Sequence, residues 1–172
     1  MTNKKATQFK LKDVQARAKE LEKREKYYLD KEKTQFIYYY PKFNKKKVHE
    51  LFVDLTETIQ YVNKNGIPFP SNDLELIQYT QFLIIKHFTS LHGELKNKSF
   101  DVHIETMTKL LETGLFDKFI QDMFDQAEIF ELLDNLNTMT EMGLEFMKQE
   151  QDTRELLTDK LQSSLLQKKK DE

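Results

Sequence analysis

The stretch from Leu74 to Leu91 constrains the fold most, because it is apolar on almost every face of a helix. Its apolar residues are Leu74, Leu76, Ile77, Tyr79, Phe82, Leu83, Ile84, Ile85, Phe88 and Leu91. A helix that is hydrophobic all round must be covered by neighbouring elements. It would be roughly 27 Å long, but polar residues such as Gln78, Lys86 and His87 interrupt it too often for a membrane span. We therefore predict that it is the central helix of an all-α domain.

Capping residues predict where the two longest helices begin and end. Asn72, with Glu75 three residues later, predicts a capped start for the central helix, and Gly93 marks its end. Asn44 predicts the start of a preceding amphipathic helix, for which Gly66 is the stop.

Three further helices are predicted after the central one. Ser99 or Asp101 opens a short helix that ends at Gly114, a second follows from Leu115, and Asp125 caps a third. Their apolar faces comprise Ile104, Met107, Leu110, Leu111, Phe116, Phe119, Ile120, Met123, Phe124, Ile129, Leu132, Leu133, Leu136, Met139, Phe146 and Met147. Only four Gly and three Pro in 172 residues fit long helices with short connections.

These patterns divide the chain into three parts. Residues 1–33 form a basic N-terminal arm with a charged helix, 34–147 a single compact helical core domain, and 148–172 a C-terminal amphipathic helix with a charged tail. No cysteine is present and no signal peptide is expected, which suits a reducing cytoplasm.

Positive charge is concentrated at the N-terminal end. Through Lys47 there are fifteen Lys or Arg against six Asp or Glu, and after it twelve against twenty-three. Phe9 to about Lys33 reads as one charged helix whose narrow apolar seam comprises Leu11, Val14, Ala18, Leu21 and Tyr28. Such a seam packs against one partner, either the chain's own body or another subunit. The basic arm is open to three interpretations: nucleic-acid binding, pairing with a second copy, or a solvated surface. Lys outnumbers Arg twenty-four to three, which disfavours nucleic acid.

The segment from Thr34 to Phe43 is the one place with strand character, since it is aromatic, β-branched and ended by Pro41. One strand makes no sheet, so we expect an extended segment whose rings plug the helical core. The alternative is that its aromatic rings stack on nucleic-acid bases beside Lys42 and the lysines at 45–47.

The sequence carries no catalytic or metal-binding motif. Its histidines, His49, His87, His92 and His103, lack metal-ligand spacing, and we expect them at the surface or at the edge of the core. There is no phosphate-binding loop and no nucleophile elbow. An acidic series is expected to be the solvated side of two amphipathic helices: Asp117, Asp122, Asp125, Glu128, Glu131 and Asp134. We therefore predict a protein that is not an enzyme and holds no metal or cofactor.

Binding to other proteins is the remaining class of function. Methionines at 107, 123, 139, 142 and 147 fit either an adaptable binding surface or an ordinary core. The predicted C-terminal helix has an apolar face that nothing in the sequence predicts to be covered. The residues of this candidate partner-binding face are Leu156, Leu157, Leu161, Leu165 and Leu166.

Three runs between about residues 30 and 140 resemble the tail assembly chaperones of siphophages and prophages of Gram-positive bacteria: EKTQFIYYYPKFNKKKVHELFVDL, ELIQYTQFLIIKHFTSL and TKLLETGLFDKFIQDMF. The resemblance implies a small helical protein of the host cell cytoplasm. It also implies a role without catalysis, in which the protein binds the tape measure protein and tail tube subunits. From the residues themselves we expect no membrane partner, and nucleic acid is disfavoured as a partner. Self-association stays open, and the family pattern assigns no role to the basic N-terminal helix.

The resemblance also implies a role for the codons of Lys168, Lys169 and Lys170. In the resembling family some ribosomes shift frame near the end of this gene, and we expect the three successive lysine codons to form an adenine-rich site for such a shift. The alternative is that these lysines only complement the dipole at the C-terminal end of the last predicted helix. Two alternatives remain: a regulatory protein that binds DNA through the basic arm, and a structural phage protein that forms oligomers.

Overall fold

Residues 8–136 and 138 are described by the structure, a computed structural model, and they are mainly helical. In chain order the elements are α1 (Leu11–Leu21), β1 (Glu25–Tyr28), β2 (Phe36–Tyr39), α2 (Lys45–Asn65), α3 (Asp73–Phe88), α4 (His92–Leu95), α5 (Phe100–Glu112), α6 (Leu115–Asp122) and α7 (126–136). The prediction of a mainly helical fold is confirmed, although a small two-stranded sheet is also present.

Helix α3 is central to the packing, as its composition predicts. It packs against α2, α4 and α6, and from Tyr79 onward nearly all of its side chains are buried. Its first turns depart from the prediction, because Leu74 is 63% and Ile77 is 42% exposed. The helix also ends at Phe88, three residues before Leu91, since Thr89 is extended and pairs with Tyr39 of β2.

The predicted caps of α2 and the predicted N-terminal cap of α3 are confirmed, whereas the predicted end of α3 at Gly93 is wrong, because α3 ends at Phe88 and Gly93 lies in α4. The side chain of Asn44 accepts a hydrogen bond from the Lys47 N–H (2.9 Å), and Gly66 ends α2 in the left-handed conformation. The side chain of Asn72 accepts from the Glu75 N–H (3.0 Å). The carboxylate of Glu75 accepts from the backbone one residue before the cap, at Ser71 (2.7 Å).

The predicted N-terminal helix from Phe9 to Lys33 is wrong beyond Leu21. Residues Glu25–Tyr28 form β1, which pairs antiparallel with β2 in the register Glu25 to Tyr39 and Tyr28 to Phe36. Long-range pairing overrides the helical spacing here, because Tyr27 and Tyr28 fit a pleated surface well. The expectation that no sheet forms is therefore also wrong. Apolar periodicity in the sequence gives no sign of β1, which is the strand that β2 needs as a partner.

The hairpin turn is closed by one aspartate. The carboxylate of Asp30 accepts hydrogen bonds from the N–H and hydroxyl of Thr34 (2.8 Å each) and from the N–H of Gln35 (2.7 Å). Lys33 adopts a left-handed backbone conformation at φ 58°. The turn therefore depends on side-chain capture of backbone donors, a role that suits Asp.

One face of the hairpin packs onto the helical body, as the prediction that its rings plug the core requires. Ile37 is buried, the Tyr27 ring meets Phe119 edge to face at 6.2 Å, and the Tyr39 ring meets Phe124 at 6.0 Å. Just beyond β2, the ring of Phe43 stacks on Phe88 with centroids 4.0 Å apart. The hairpin is thereby anchored to α3 and α6.

The helices after α3 begin where the sequence predicts. The Ser99 hydroxyl accepts from the Val102 N–H at the start of α5, and Gly114 separates α5 from α6 in a left-handed conformation. The carboxylate of Asp125 accepts from the Ala127 N–H (2.9 Å) at the start of α7. Met107 and Met123 are buried, so these two methionines belong to the core.

The fold comprises two compact units, Met1–Ile129 and Phe130–Glu172. Residues 130–136 of the second unit are helical. The predicted C-terminal helix, with Leu156, Leu157, Leu161, Leu165 and Leu166, lies outside the described residues, and the boundaries proposed at 33/34 and 147/148 stay predictions. None of the described helices is both long and apolar enough to cross a membrane.

Candidate partner-binding surface and buried ionic cluster

The outer face of the hairpin carries aromatic rings and cations together. Side chains alternate across a strand, so Lys26 and Tyr28 of β1 lie on the same face as Phe36 and Tyr38 of β2. Phe36 is 42% exposed. Its ring meets those of Tyr38 and Tyr28 edge to face, at centroid distances of 5.1 and 6.0 Å. We call this surface, with Arg24 and Lys33, the hairpin outer face.

Three cations lie over these rings. The ammonium of Lys26 is 4.3 Å from the Phe36 centroid, the guanidinium of Arg24 is 5.3 Å from that of Tyr38, and the ammonium of Lys33 is 5.5 Å from that of Tyr28. Exposed cation–π contacts contribute only about 0.5–1 kcal/mol each. The cations therefore remain available to an acidic partner.

A second exposed apolar surface lies on α1, and we call it the α1 seam: Leu11, Val14, Ala18 and Leu21. None of the α1 side chains is buried, and Leu11 is 72% and Val14 is 46% exposed. Ala18 and Leu21 line a cleft of about 600 Å³ together with Asn44 and Glu50. Isolated helices shorter than about 12–15 residues are marginal in water, so an eleven-residue helix with an uncovered seam suits a surface that a partner completes.

The described residues also contain a buried ionic cluster where α2, α3 and α5 meet. Lys86, which is 4% exposed, lies within the apolar run of α3. Its ammonium donates to the Asp54 carboxylate of α2 (2.6 Å), and the same oxygen accepts from His87 Nε2 (2.8 Å). A buried lysine requires such a partner, because burial of an unpaired charge is strongly unfavourable.

His103 of α5 extends the cluster. Its Nε2 atom is 3.1 Å from the Leu95 carbonyl oxygen and 3.2 Å from Lys86 Nζ, while Nδ1 is 3.5 Å from the Tyr79 hydroxyl. The carbonyl is an acceptor and the ammonium a donor, so Nε2 serves one of them at a time. The Tyr79 hydroxyl also pairs with the Thr58 hydroxyl at 3.2 Å. The cluster thus ties side chains of α2 and α3 to α5.

His92 completes the cluster from α4. Its ring centroid lies 5.1 Å from that of His87, and the Nδ1 atoms of both rings are buried without a hydrogen-bond partner among the described residues. A cavity of about 450 Å³ runs along these groups, lined in part by Glu57, Lys96 and His103.

Burial and hydrogen bonding set the protonation of this cluster. Burial alone would raise the pKa of Asp54, but hydrogen bonds from His87 and Lys86 outweigh it and lower that pKa to about 2. Burial lowers the pKa of His92, and the nearby Lys47 ammonium lowers it further. Burial also lowers the pKa of His103, although the Leu95 carbonyl partly opposes this. At neutral pH, His92 and His103 are therefore neutral beside an ionised Asp54.

The structure corrects the sequence analysis of the histidines. His87 and His103 are buried in the cluster, where surface or core-edge positions are expected, and His92 lies beside His87 because the chain turns between α3 and α4. Among the described residues, no group of three or more His, Asp or Glu side chains is arranged to hold a metal ion. No motif in the sequence points to the pair formed by Asp54 and Lys86. A lysine within an otherwise apolar helix is the signal that would find this pair, since it requires a buried carboxylate.

Part of the acidic series is engaged within the fold. The Asp122 carboxylate accepts from the Tyr27 hydroxyl (2.8 Å), and the Glu128 carboxylate accepts from the Phe43 N–H (3.3 Å). With the Asp125 cap of α7, three of the six predicted surface carboxylates hold local structure, and Asp117 is exposed.

Fold and surfaces together define a mainly helical protein with a hairpin and a helix face exposed for contact. The chain belongs to the YomO family, whose model matches residues 11–170. This match supports a phage origin, which the resemblance to tail assembly chaperones also implies. No curated protein and no solved structure matches the chain.

Proposed function

We propose that this protein is a phage tail assembly chaperone that binds the tape measure protein and tail tube subunits in the host cell cytoplasm. It acts without catalysis, metal or cofactor, and nucleic acid is not its partner. The observation that carries the proposal is the α1 seam, an apolar helix face left uncovered by the described part of the chain.

The physical requirement of the role supports this assignment. A very long helical client exposes apolar surface before assembly and would aggregate. A small protein that offers uncovered apolar faces on a charged exterior can cover such a client by helix-to-helix packing. The α1 seam has this character, with lysines and glutamates around it. The resemblance of residues 30–140 to tail assembly chaperones and the phage origin indicated by the family match agree with it.

The test is co-expression with the tape measure protein encoded in the same genome. We expect the two proteins to co-purify, and the double variant Leu11→Ser/Val14→Ser to lose at least about tenfold of the captured client, as at interface hot spots. The matched control is Leu74→Ser/Ile77→Ser, which changes two exposed apolar side chains on α3. We expect the control to capture the client normally. Equal capture by both variants would remove α1 from the interface, and failure of the unchanged protein to capture any client would refute the chaperone role.

The C-terminal leucines supply a second candidate contact, which lies outside the described residues. Replacing Leu157, Leu161 and Leu165 together by Ser should reduce capture in the same assay while thermal melting stays nearly unchanged. If the triple variant instead unfolds, these leucines belong to the chain's own core.

A further inference from the structure

The hairpin has one edge whose backbone groups pair with no other described residue. The Leu29 N–H donates to the Gln35 carbonyl (2.9 Å), and hydrogen-bonded and non-hydrogen-bonded pairs alternate along an antiparallel ladder. In this register the Tyr27–Ile37 pair exchanges hydrogen bonds, and the backbone N–H and C=O groups of Lys26 and Tyr28 point away from β2.

The opposite edge of the hairpin is covered by the fold. The Ser90 N–H donates to the Tyr38 carbonyl (2.8 Å), and the Tyr40 N–H donates to the Phe88 carbonyl (2.8 Å). These two bonds join β2 to the chain that leaves α3. The sheet is therefore extended on the β2 side by its own chain, while on the β1 side a strand position next to it is open.

The side chains beside the open edge are positively charged. Lys26 lies on β1 itself, with Arg24 just before it, and the outer face of the two strands carries no carboxylate. The nearest acidic side chain of the strands, Glu25, is on the other face, where it accepts from the Tyr39 hydroxyl (3.0 Å). A strand added here would lie next to cations and to the exposed ring of Tyr28.

We propose that the free edge of β1 binds an extended acidic segment of a partner protein, which adds to the hairpin as a third strand. Main-chain hydrogen bonds to Lys26 and Tyr28 supply affinity, and carboxylates at alternate positions pair with Lys26 and Arg24. A protein strand fits better than single-stranded nucleic acid for two reasons. It offers the N–H and C=O groups that an open ladder requires, and the ammonium of Lys26 already occupies one face of the Phe36 ring. This binding mode does not depend on the tail-assembly role.

The first experiment measures binding of labelled peptides to the full chain by fluorescence polarisation. The probe is a capped decapeptide of alternating Glu and Val residues. One comparison peptide alternates Lys and Val, and a second is the Glu–Val peptide N-methylated at every other residue along the edge that would pair. We expect the Glu–Val peptide to bind and both comparison peptides to bind at least about tenfold more weakly, since one loses charge complementarity and the other its hydrogen bonds.

The second experiment separates the backbone from the side chain at one position. Lys26→Ala removes the charge, whereas Lys26→Pro also removes the outward N–H, which no bond to β2 uses, so proline is tolerated there as on other edge strands. We expect Lys26→Pro to weaken binding severalfold more than Lys26→Ala, with unchanged circular dichroism for both. Hydrogen exchange on the unmodified chain provides a readout without substitution: the amides of Lys26 and Tyr28 should exchange more slowly when the peptide is bound.

Several results would overturn the proposal. No binding of the Glu–Val peptide, equal binding of its N-methylated form, or unaltered exchange at Lys26 and Tyr28 would exclude strand addition. Tighter binding of a ten-residue oligothymidylate than of the peptide would assign the hairpin outer face to single-stranded nucleic acid instead. The variant Leu11→Ser/Val14→Ser should keep peptide binding, so loss of client capture through α1 and loss of strand addition at β1 are distinguishable.

Discussion

Removal of the Asp54 carboxylate should destabilise the protein through the charge that it leaves behind. In Asp54→Ala, the ammonium of Lys86 loses a hydrogen bond of 2.6 Å and His87 loses one of 2.8 Å. The lysine side chain is 5% exposed, and Asp54 is its ion-pair partner among the described residues. In this variant it must therefore remain charged without an anionic partner, deprotonate, or open the structure to water.

The expected loss of stability in Asp54→Ala follows from the burial of the ion pair. Breaking a buried ion pair by removing one partner costs about 3–5 kcal/mol. The Asp54 side chain is 21% exposed, so water partly replaces it, and we expect the lower end, about 3 kcal/mol. Lys86→Met should cost less, about 1–2 kcal/mol, because Asp54 keeps its bond from His87 and its contact with solvent. A loss of 3 kcal/mol is a large part of a total stability of about 5–15 kcal/mol.

The double variant Asp54→Ala/Lys86→Met provides the decisive comparison. Once the lysine charge is gone, loss of the carboxylate leaves no buried cation, so the double variant should be more stable than Asp54→Ala alone by about 1 kcal/mol or more. Urea unfolding followed by far-UV circular dichroism at neutral pH gives all four free energies of unfolding. Additive effects of the two substitutions, or a cost below about 1 kcal/mol for Asp54→Ala, would refute the reasoning that the pair is buried and coupled.

Three further predictions concern the core, the histidines and the gene. Phe82→Asp should unfold the domain, because an unpaired buried carboxylate costs several kcal/mol, whereas Leu74→Asp at the exposed start of the same helix should lower the melting temperature by only a few degrees. Equal melting temperatures of the two variants would contradict the central placement of α3. His92 and His103 have folded-state pKa values below 6.5, so the unfolded chain binds more protons and the free energy of unfolding should fall as the pH drops below 6.5. A further loss of stability is expected below pH 3.8, as Asp54 titrates toward its folded pKa of about 2. A free energy of unfolding that stays constant between pH 7 and 5 in urea titrations would contradict this prediction. Synonymous recoding of the three consecutive lysines near the C-terminus should abolish a longer frameshifted product seen with an N-terminal tag, and absence of that product before recoding would refute the frameshift.

Local sequence signals determined much of the helical framework. Asn44 and Gly66 bracket α2, Asn72 caps α3 and Ser99 caps α5, because each of these residue types satisfies backbone groups next to it in the chain. The central position of α3 also follows from composition, since a helix with no polar stripe has to be surrounded. Such effects act over three or four residues or along one helix, so a linear pattern is enough to identify them.

The hairpin and the ionic cluster were decided by tertiary structure. The sequence of Glu25–Tyr28 predicts a continuation of a helix, and only pairing with β2 makes it a strand. On its other side β2 pairs with Thr89 through Tyr39, and α3 ends just before this bridge, at Phe88. Lys86 meets Asp54 from thirty-two residues away. Asp54 also meets His87 of α3, and Lys86 meets His103 of α5. No local spacing encodes these contacts, because burial and the stability of each charge depend on which helices pack together.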